Sequence, residues 1–336
     1  MTHGDLEHFK NLLLERQENL NNWLQTFAPG DDEIRKVRAL LNDINKALER
    51  VAEESFGVCE VCKGEVELNR LEVQPVRQVC LTCITEAERI TLENELTVAS
   101  RIHRALLPQT YEKIDGFEVA VKSYAAGSIG GDYYDFLARQ NGFGSRIIIG
   151  DTMGKGLPAG LLMANLQGAL RIYGEQIDSP AALVTRLNQW LCRNIPVVKF
   201  VSLCCVRVDN SNGQGSSLTY TNAGHPQPIL VRRNGTVELL ESTGGVLGVH
   251  ENFTYQEKTV PFAAGDVLVL YTDGITEAEN YHGAMFGEER LTEYIKNRRT
   301  ESFDSFLEVL LSELQSFSEK PDLEDDTTVI ALRRSL

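Results

Sequence analysis

Apolar residues recur at intervals of mostly three and four in two segments near the start of the chain. The first segment carries Leu6, Phe9, Leu13, Leu20, Trp23 and Phe27, and the second carries Ile34, Val37, Leu41, Ile44, Leu48 and Val51. This spacing predicts two amphipathic helices. Pro29 and Gly30 end the first helix, and Asp31 and Asp32 suit the first turn of the second. We therefore expect an antiparallel coiled-coil hairpin over residues 1–57.

A third helical pattern covers residues 85–109 and predicts a helix that connects the two halves of the chain, which we place at 91–109. It should end at Leu107, because Pro108 disfavours helical geometry in the residue before it. Residues 84–107 contain no glycine or proline, so a stiff connection is expected. His103 shares the apolar stripe of this helix, where a lone histidine is more often a surface or interface residue than a metal ligand.

Residues 110–336 alternate between strand-like and helical patterns, which predicts an α+β domain. Strands are expected near 117–125, 145–151, 201–208, 216–222, 227–232, 266–271 and 327–333. Helices are expected near 158–174, 180–194, 288–298 and 302–317. Pro158 fits the first turn of its helix, which would anchor the preceding loop.

Four segments of this domain place an aspartate at the edge of a strand-like run. They are GGDYYDF (130–136), IIIGDTMGKG (147–156), LVLYTDGITE (268–277) and EDDTTVIAL (324–332). Each alone is weak evidence, since Gly-Asp and Asp-Gly are common turn sequences. Four carboxylates gathered at one rim would repel one another, so they imply cations. Oxygen ligands favour magnesium or manganese over zinc.

In order and spacing, together with TNAGHPQPIL (221–230) and GGVLG (244–248), these segments resemble the metal-dependent phosphatases of the protein phosphatase 2C superfamily. The closest branch is the bacterial sporulation stage II protein E type, and the resemblance covers about residues 95–334. It implies an αββα sandwich, in which two antiparallel sheets are flanked by helices. It also implies two Mn²⁺ or Mg²⁺ ions and dephosphorylation of serine or threonine on regulatory proteins.

The resemblance also implies a site residue by residue. Asp151 matches the aspartate that bridges both metals, and Asp326 is the less favoured member of its pair. The implied catalytic and metal-binding set is Asp132, Asp151, the backbone carbonyl of Thr152, Asp273 and Asp325. Two such ions would activate a water molecule, so no protein nucleophile is needed. We therefore interpret Cys192, Cys204 and Cys205 as small apolar side chains.

Two positions leave the assignment open. Many eukaryotic relatives bind phosphate through an arginine on the first strands, whereas the corresponding stretch here has only Lys122, which we interpret as a surface charge. His225 in the AGHP segment invites a role as an acid, because an imidazole ordinarily titrates near neutral pH. The same segment is also a compact turn, and we favour a structural histidine over a catalytic one.

Upstream, Cys59 and Cys62 form one CxxC pair, and Cys80 and Cys83 form another. Seventeen residues separate the two pairs. This spacing predicts a closed four-cysteine site for one structural Zn²⁺. No signal peptide precedes the pairs, so a reducing cytoplasm and metal-binding thiols are expected rather than disulfides. With the hairpin before it, the finger at 58–90 resembles the DksA/TraR family of zinc-finger transcription regulators over residues 1 to about 90.

Composition narrows the function further. The chain has 336 residues and a formal net charge of −15, which argues against direct nucleic-acid binding. It has no run of eighteen apolar residues, so no membrane span is expected. The family resemblance implies a phosphatase that acts on a phosphorylated regulator of the anti-anti-sigma type, and we expect it to be cytoplasmic. The zinc-finger module would regulate it by receiving an upstream activator, and the helical region would support a homodimer.

Two alternatives remain at this stage. The chain could be an RNA polymerase-binding regulator with an appended phosphatase, which would depend on the tip of the hairpin. It could also be an inactive scaffold that binds a phosphoprotein. Inactivity usually appears as loss of the metal carboxylates, and none of them is missing here.

Overall fold

The computed structural model describes residues 3–26, 31–108, 114–137, 144–195, 199–211, 215–320 and 323–335. The chain divides into two compact units, Met1–Asn94 and Glu95–Leu336. Phe27, Pro29 and Gly30, which we placed at the end of the first helix, lie outside the described residues. Within the described ranges, no helix combines the length and the apolar character needed to cross a bilayer.

The first unit contains helices α1 (His3–Thr26), α2 (Asp31–Ala52) and α3 (Leu68–Val73), a 3-10 turn at Leu81–Cys83, and the start of α4 (Glu86–Leu106). Its core is built on the predicted stripes, because Phe9, Leu13 and Ile44 are nearly fully buried in one cluster. Gln17 on α1 donates a hydrogen bond to Asn45 on α2 at 2.6 Å. Cys59 and Cys80 belong to the same cluster, so the cysteine site and the helical hairpin share one core.

The second unit contains two five-stranded antiparallel sheets. Their strand orders are β1-β10-β9-β6-β7 and β2-β3-β4-β5-β8. The strands are β1 (Phe117–Tyr124), β2 (Asp132–Leu137), β3 (Ser145–Thr152), β4 (Val201–Ser211), β5 (Gly215–Ala223), β6 (Ile229–Val231), β7 (Val237–Leu239), β8 (Lys258–Phe262), β9 (Val267–Tyr271) and β10 (Thr327–Arg334). The remaining helices are α5 (Leu157–Gly174), α6 (Pro180–Asn194), α7 (Asp273–Thr276), α8 (Gly287–Arg298) and α9 (Phe303–Ser318).

The sheets pack face to face because successive side chains of a strand point to opposite faces. On β3, Ile147 and Ile149 point into the layer between the sheets, where they meet Leu268 and Ile330. Ile148 points the other way, into the layer formed with α5 and α6. The outer face of the other sheet is covered by α8 and α9. The layers therefore run helix, sheet, sheet, helix, and the predicted αββα sandwich is confirmed.

Some elements differ from the sequence-based prediction. The strands β7 and β8 and the short helix α7 were not predicted, and β2 was noted only as the strand-like run of GGDYYDF, without bounds. The helix α4 ends at Leu106, one residue earlier than expected. In β2, all residues except Phe136 are buried, so the strand lacks the alternation by which strands are recognised. Pro261 weakened the signal of β8, which lies at the edge of its sheet, where a proline is tolerated.

Candidate active site

The sheet register brings Asp132 and Asp151 together. They lie opposite each other in the antiparallel pair of β2 and β3, where β2 begins and β3 ends. Directly opposite residues in such a pair have Cα atoms about 4.5 to 5.5 Å apart. The three isoleucines that precede Gly150 are fully buried, which fixes Asp151 at the rim of the sandwich. Gly150 is required by packing, since a Cβ there would lie 2.8 Å from the carbonyl oxygen of Ser202.

Asp132 also links its sheet to the other one. Its side chain is buried, and its Oδ2 atom accepts hydrogen bonds from the hydroxyls of Thr272 at 2.8 Å and Thr328 at 2.7 Å. These threonines follow β9 and lie on β10, respectively, beside the other two aspartate segments. Burial raises the pKa of Asp132 well above its ordinary value, and the charges of Asp151 and Asp326 act in the same direction.

Asp151 lies within the electrostatic reach of the remaining aspartates. Burial raises its pKa to about 7, and the charges of Asp273, Asp325 and Asp326 add to this effect. Burial, followed by the charge of Asp325, likewise raises the pKa of Asp273. The structure therefore brings all four predicted carboxylates to one rim. Carboxylates whose charge is disfavoured by burial and by mutual repulsion are a donor set that a hard divalent cation would satisfy.

The carboxylates do not converge on a single point. In the part of the chain that the structure describes, the only group of three or more acidic, cysteine or histidine ligand atoms within 4.8 Å of one another is formed by the four cysteines. Two ions about 3.5 to 4 Å apart need ligands that are spread more widely than the ligands of a single ion. Among the described residues, the aspartates therefore do not form a compact single-ion cluster.

The neighbouring residues Asp325 and Asp326 have different tasks. Asp326 is buried, and its two carboxylate oxygens accept hydrogen bonds from the backbone N–H groups of Ala126 at 2.8 Å and Gly131 at 2.6 Å. It thereby ties the loop before Asp132 to the start of β10. Asp325 is partly exposed, and its Oδ1 lies 3.1 Å from the ammonium of Lys155. Asp326 is thus committed to the backbone, and Asp325 as the ligand of the pair stays a prediction.

Glycines let these loops approach one another. A Cβ at Gly130 would lie 2.9 Å from Oδ2 of Asp326, and one at Gly274 would lie 2.0 Å from its carbonyl oxygen. At Gly131 a Cβ would lie 2.9 Å from the hydroxyl oxygen of Thr152. That hydroxyl donates to the carbonyl oxygen of Gly131 at 3.2 Å. Sequence reasoning missed this function of the glycines, although the Gly-Gly-Asp and Asp-Gly pairs were a visible signal of close approach.

The two open positions and His103 can now be placed. Lys122 lies 3.7 Å from Glu308 on α9, as expected of a surface charge. His225 is buried, and its Nδ1 atom lies 2.9 Å from the hydroxyl of Ser202, the strand partner of Asp151. Burial lowers the pKa of His225 to about 3, so the ring is neutral near pH 7 and the structural interpretation is supported. His103 is buried beside Gly160 of α5, so of the two expected places, surface or interface, it lies at a helix interface.

The four cysteines form the most compact cluster of ligand atoms. The Sγ atoms of Cys59, Cys62, Cys80 and Cys83 all lie within 4.8 Å of one another, and those of Cys62 and Cys80 are 3.7 Å apart. A tetrahedral zinc with Zn–S bonds of about 2.3 Å places its sulfur atoms about 3.8 Å apart. Backbone N–H groups, that of Cys62 first, lower the pKa of Cys59 to about 6, whereas the thiol of Cys62 raises that of Cys83 to about 12. The cysteines fit one structural zinc ion, whose charge would stabilise all four thiolates.

Comparison with known proteins agrees with both sites. The family model "Stage II sporulation protein E (SpoIIE)" matches residues 141–335, and the "Prokaryotic dksA/traR C4-type zinc finger" matches residues 54–89. The phosphoserine phosphatase RsbU of Bacillus subtilis is 27% identical over 249 residues, which cover 73% of this chain and 71% of RsbU. The RNA polymerase-binding transcription factor DksA of Escherichia coli is 43% identical over 53 residues, which cover 16% of this chain and 35% of DksA.

Among solved structures, the SiaA-PP2C domain of Pseudomonas aeruginosa has the same fold. The two superpose with a TM-score of 0.64 at 23% sequence identity, and the match covers 74% of this chain and 99% of that domain. The SpoIIE model alone spans more than half of the chain. The chain therefore belongs to the stage II sporulation protein E family of protein serine/threonine phosphatases, and it carries a DksA/TraR-type zinc finger.

Proposed function

We propose that this protein hydrolyses phosphoserine or phosphothreonine on a small regulatory protein with the help of two Mn²⁺ or Mg²⁺ ions. The ligands would be the carboxylates of Asp132, Asp151, Asp273 and Asp325 and the backbone carbonyl of Thr152. The observation that carries the proposal is the position of Asp151. It lies opposite Asp132 in the sheet and within reach of the charges of Asp273 and Asp325.

The side chains around the rim have complementary tasks. Two divalent ions, when bound, supply a water molecule of lowered pKa and polarise the phosphoryl oxygens. Thr272 and Thr328 orient the carboxylate of Asp132, and Asp326 orders the loop that leads to it. His225 is neutral and turned into the protein, so it holds Ser202 and the β4 end in place rather than donating a proton to the leaving group.

The expected substrate is a small phosphorylated regulator of the anti-anti-sigma type in a partner-switching pathway. Support comes from the family and from RsbU, which is itself a phosphoserine phosphatase and aligns with 73% of this chain. The zinc finger aligns with about a third of DksA, so polymerase binding has weaker support than phosphatase activity.

We further propose that the zinc-finger module regulates the phosphatase through α4. This helix runs from Glu86 to Leu106, and Ser100 and His103 in its second half are buried in the second unit. The carbonyl of Leu106 accepts a hydrogen bond from Gln167 of α5, the helix that follows the Asp151 loop. An activator that binds the module would act through this helix, which needs a difference of only a few kcal/mol between two states.

A homodimer formed through α4 is part of the same proposal. Val98 and Ile102 lie one turn apart on α4 and expose 54% and 60% of their surfaces, although both are apolar. Exposed apolar residues on one face of a helix form a surface that a second copy of the helix would cover.

Hydrolysis of a phosphoserine peptide tests the proposed function. We expect turnover with Mn²⁺ or Mg²⁺ and none with Ca²⁺ alone or with a chelator. Asp151→Asn should lower turnover by several orders of magnitude, because it removes the bridging ligand, while circular dichroism shows an unchanged fold. Lys122→Ala is the matched control and should retain activity, since Lys122 pairs with Glu308. Full activity in chelator, or in Asp151→Asn, would contradict the assignment.

A further inference from the structure

Lys199 lies immediately before β4, beside the loop that carries Asp151. Its ammonium nitrogen is 3.2 Å from the position that a Cβ would take on Gly154. The backbone around it is fixed on two sides. The N–H of Met153 donates to the carbonyl of Phe200 at 3.0 Å, and Val201 exchanges two hydrogen bonds with Leu247. The lysine therefore extends from a rigid base toward the catalytic loop.

Lys199 as a residue is partly buried, and its ammonium has no acidic partner in the described ranges. Lys155, the other cation of this loop, differs in both respects. Its side chain is 60% exposed, and its ammonium contacts Asp325 at 3.1 Å and the carbonyl of Glu324 at 2.8 Å. Lys122 on β1 pairs with Glu308. Of these three lysines, only Lys199 keeps its charge available for a ligand.

Gly154 keeps the space beside this ammonium clear. Its φ angle is +100°, a conformation that side-chain-bearing residues rarely adopt. Any side chain there would meet the Lys199 ammonium. The loop that follows Asp151 therefore presents bare backbone beside the Lys199 ammonium.

We propose that Lys199 binds the phosphoryl group of the substrate and supplies the positive charge for which β1 offers no arginine. The inference rests on the proposed phosphatase function. A phosphate monoester is a dianion near neutral pH, and a lysine ammonium attracts it as a point charge with three donors. Because the site is rich in carboxylates, a cation beside them also reduces the repulsion that an approaching phosphate meets.

Kinetics and direct binding together test the proposal. In Lys199→Ala we expect the KM for a phosphoserine peptide to rise about tenfold, with a similar loss in the affinity of the Mn²⁺-loaded protein for inorganic phosphate. Lys199→Arg should restore most of both values, because it keeps the charge. Lys122→Ala should change neither value. Calorimetry should show that Mn²⁺ binds Lys199→Ala as tightly as it binds the wild type.

Unchanged KM and phosphate affinity in Lys199→Ala would overturn the proposal. A loss of Mn²⁺ affinity in that variant would also overturn it, because the lysine would then support the loop rather than the substrate. If the wild type binds phosphate through Lys199 but hydrolyses no phosphoserine peptide with either metal, the proposed function fails and the phosphate site stands. The two failures are therefore distinguishable.

Discussion

The two metal centres of this chain are built in opposite ways. The four cysteines come from two short segments, and their sulfur atoms all lie within 4.8 Å of one another. The aspartates come from the ends of strands in two different sheets, and their carboxylates spread along a rim. A closed tetrahedral thiolate site leaves no position for substrate, whereas a spread carboxylate rim leaves room for water and a phosphoryl group. The compact geometry suits a structural ion at the cysteines, and the open geometry suits the catalytic ions that we propose at the aspartates.

The largest expected effect comes from chelation, which should remove the ions of the aspartate centre and leave the zinc in place. Mild treatment with EDTA should abolish activity, since carboxylates hold Mn²⁺ or Mg²⁺ weakly, while elemental analysis still finds one zinc per chain. The double variant Cys80→Ser, Cys83→Ser should contain no zinc and should lose the fold of the first unit, whose core includes Cys80. Zinc and activity lost at the same chelator concentration would contradict the distinction.

A smaller but sharper contrast is expected between Asp325→Asn and Asp326→Asn. The first should lower Mn²⁺ affinity and activity by about a hundredfold or more and leave the thermal midpoint unchanged, since it removes an ion ligand. The second should lower stability by about 1 to 3 kcal/mol, because an amide replaces a buried carboxylate that accepts two backbone N–H bonds. Thermal unfolding and manganese titration of both variants check this. The reverse pattern would make Asp326 the ligand.

The smallest expected effect concerns the coupling between the two units. Two glycines inserted after Thr97 should make α4 flexible and change turnover or apparent manganese affinity a few-fold. A fragment that starts near Ala105 should resemble this variant, because it lacks the module altogether. Assays of the full-length protein, the insertion variant and the fragment at several manganese concentrations provide the measurement. Identical values in all three would mean that the module does not regulate the phosphatase through this helix.

Much of the fold was predictable because local patterns and tertiary packing agree. The isoleucines of β3 form a continuous apolar run, and they are buried on both faces of their sheet. The helices α5 and α6 carry proline at their first turn, as the sequence suggested for α5. By contrast, β2 gave only a weak strand signal, because Asp132 and Asp135 interrupt its aromatic residues. Both aspartates are buried, and distant partners such as Thr328 and Arg171 help to compensate that burial.

The candidate site divides in the same way. The spacing of Cys59, Cys62, Cys80 and Cys83 by itself defines a zinc site, because a tetrahedral ion requires two short CxxC turns and little else. The aspartate segments likewise indicated which carboxylates to consider as ligands, since each lies beside a strand-like run. Their arrangement depends on the register of β2 against β3 and on the packing of two sheets, which are contacts between residues far apart in the chain.

The sequence by itself thus determined which residues carry charge, sulfur and apolar surface, and through them the two kinds of metal site. Only the tertiary structure decided what neighbouring or isolated polar residues do. It assigned Asp326 to the backbone of the loop before Asp132, buried His225 in neutral form, and placed Lys199 beside Gly154 with no acidic partner among the described residues. The physical reason is that burial and hydrogen-bond partners set the task of a polar group, and both are supplied by segments distant in sequence.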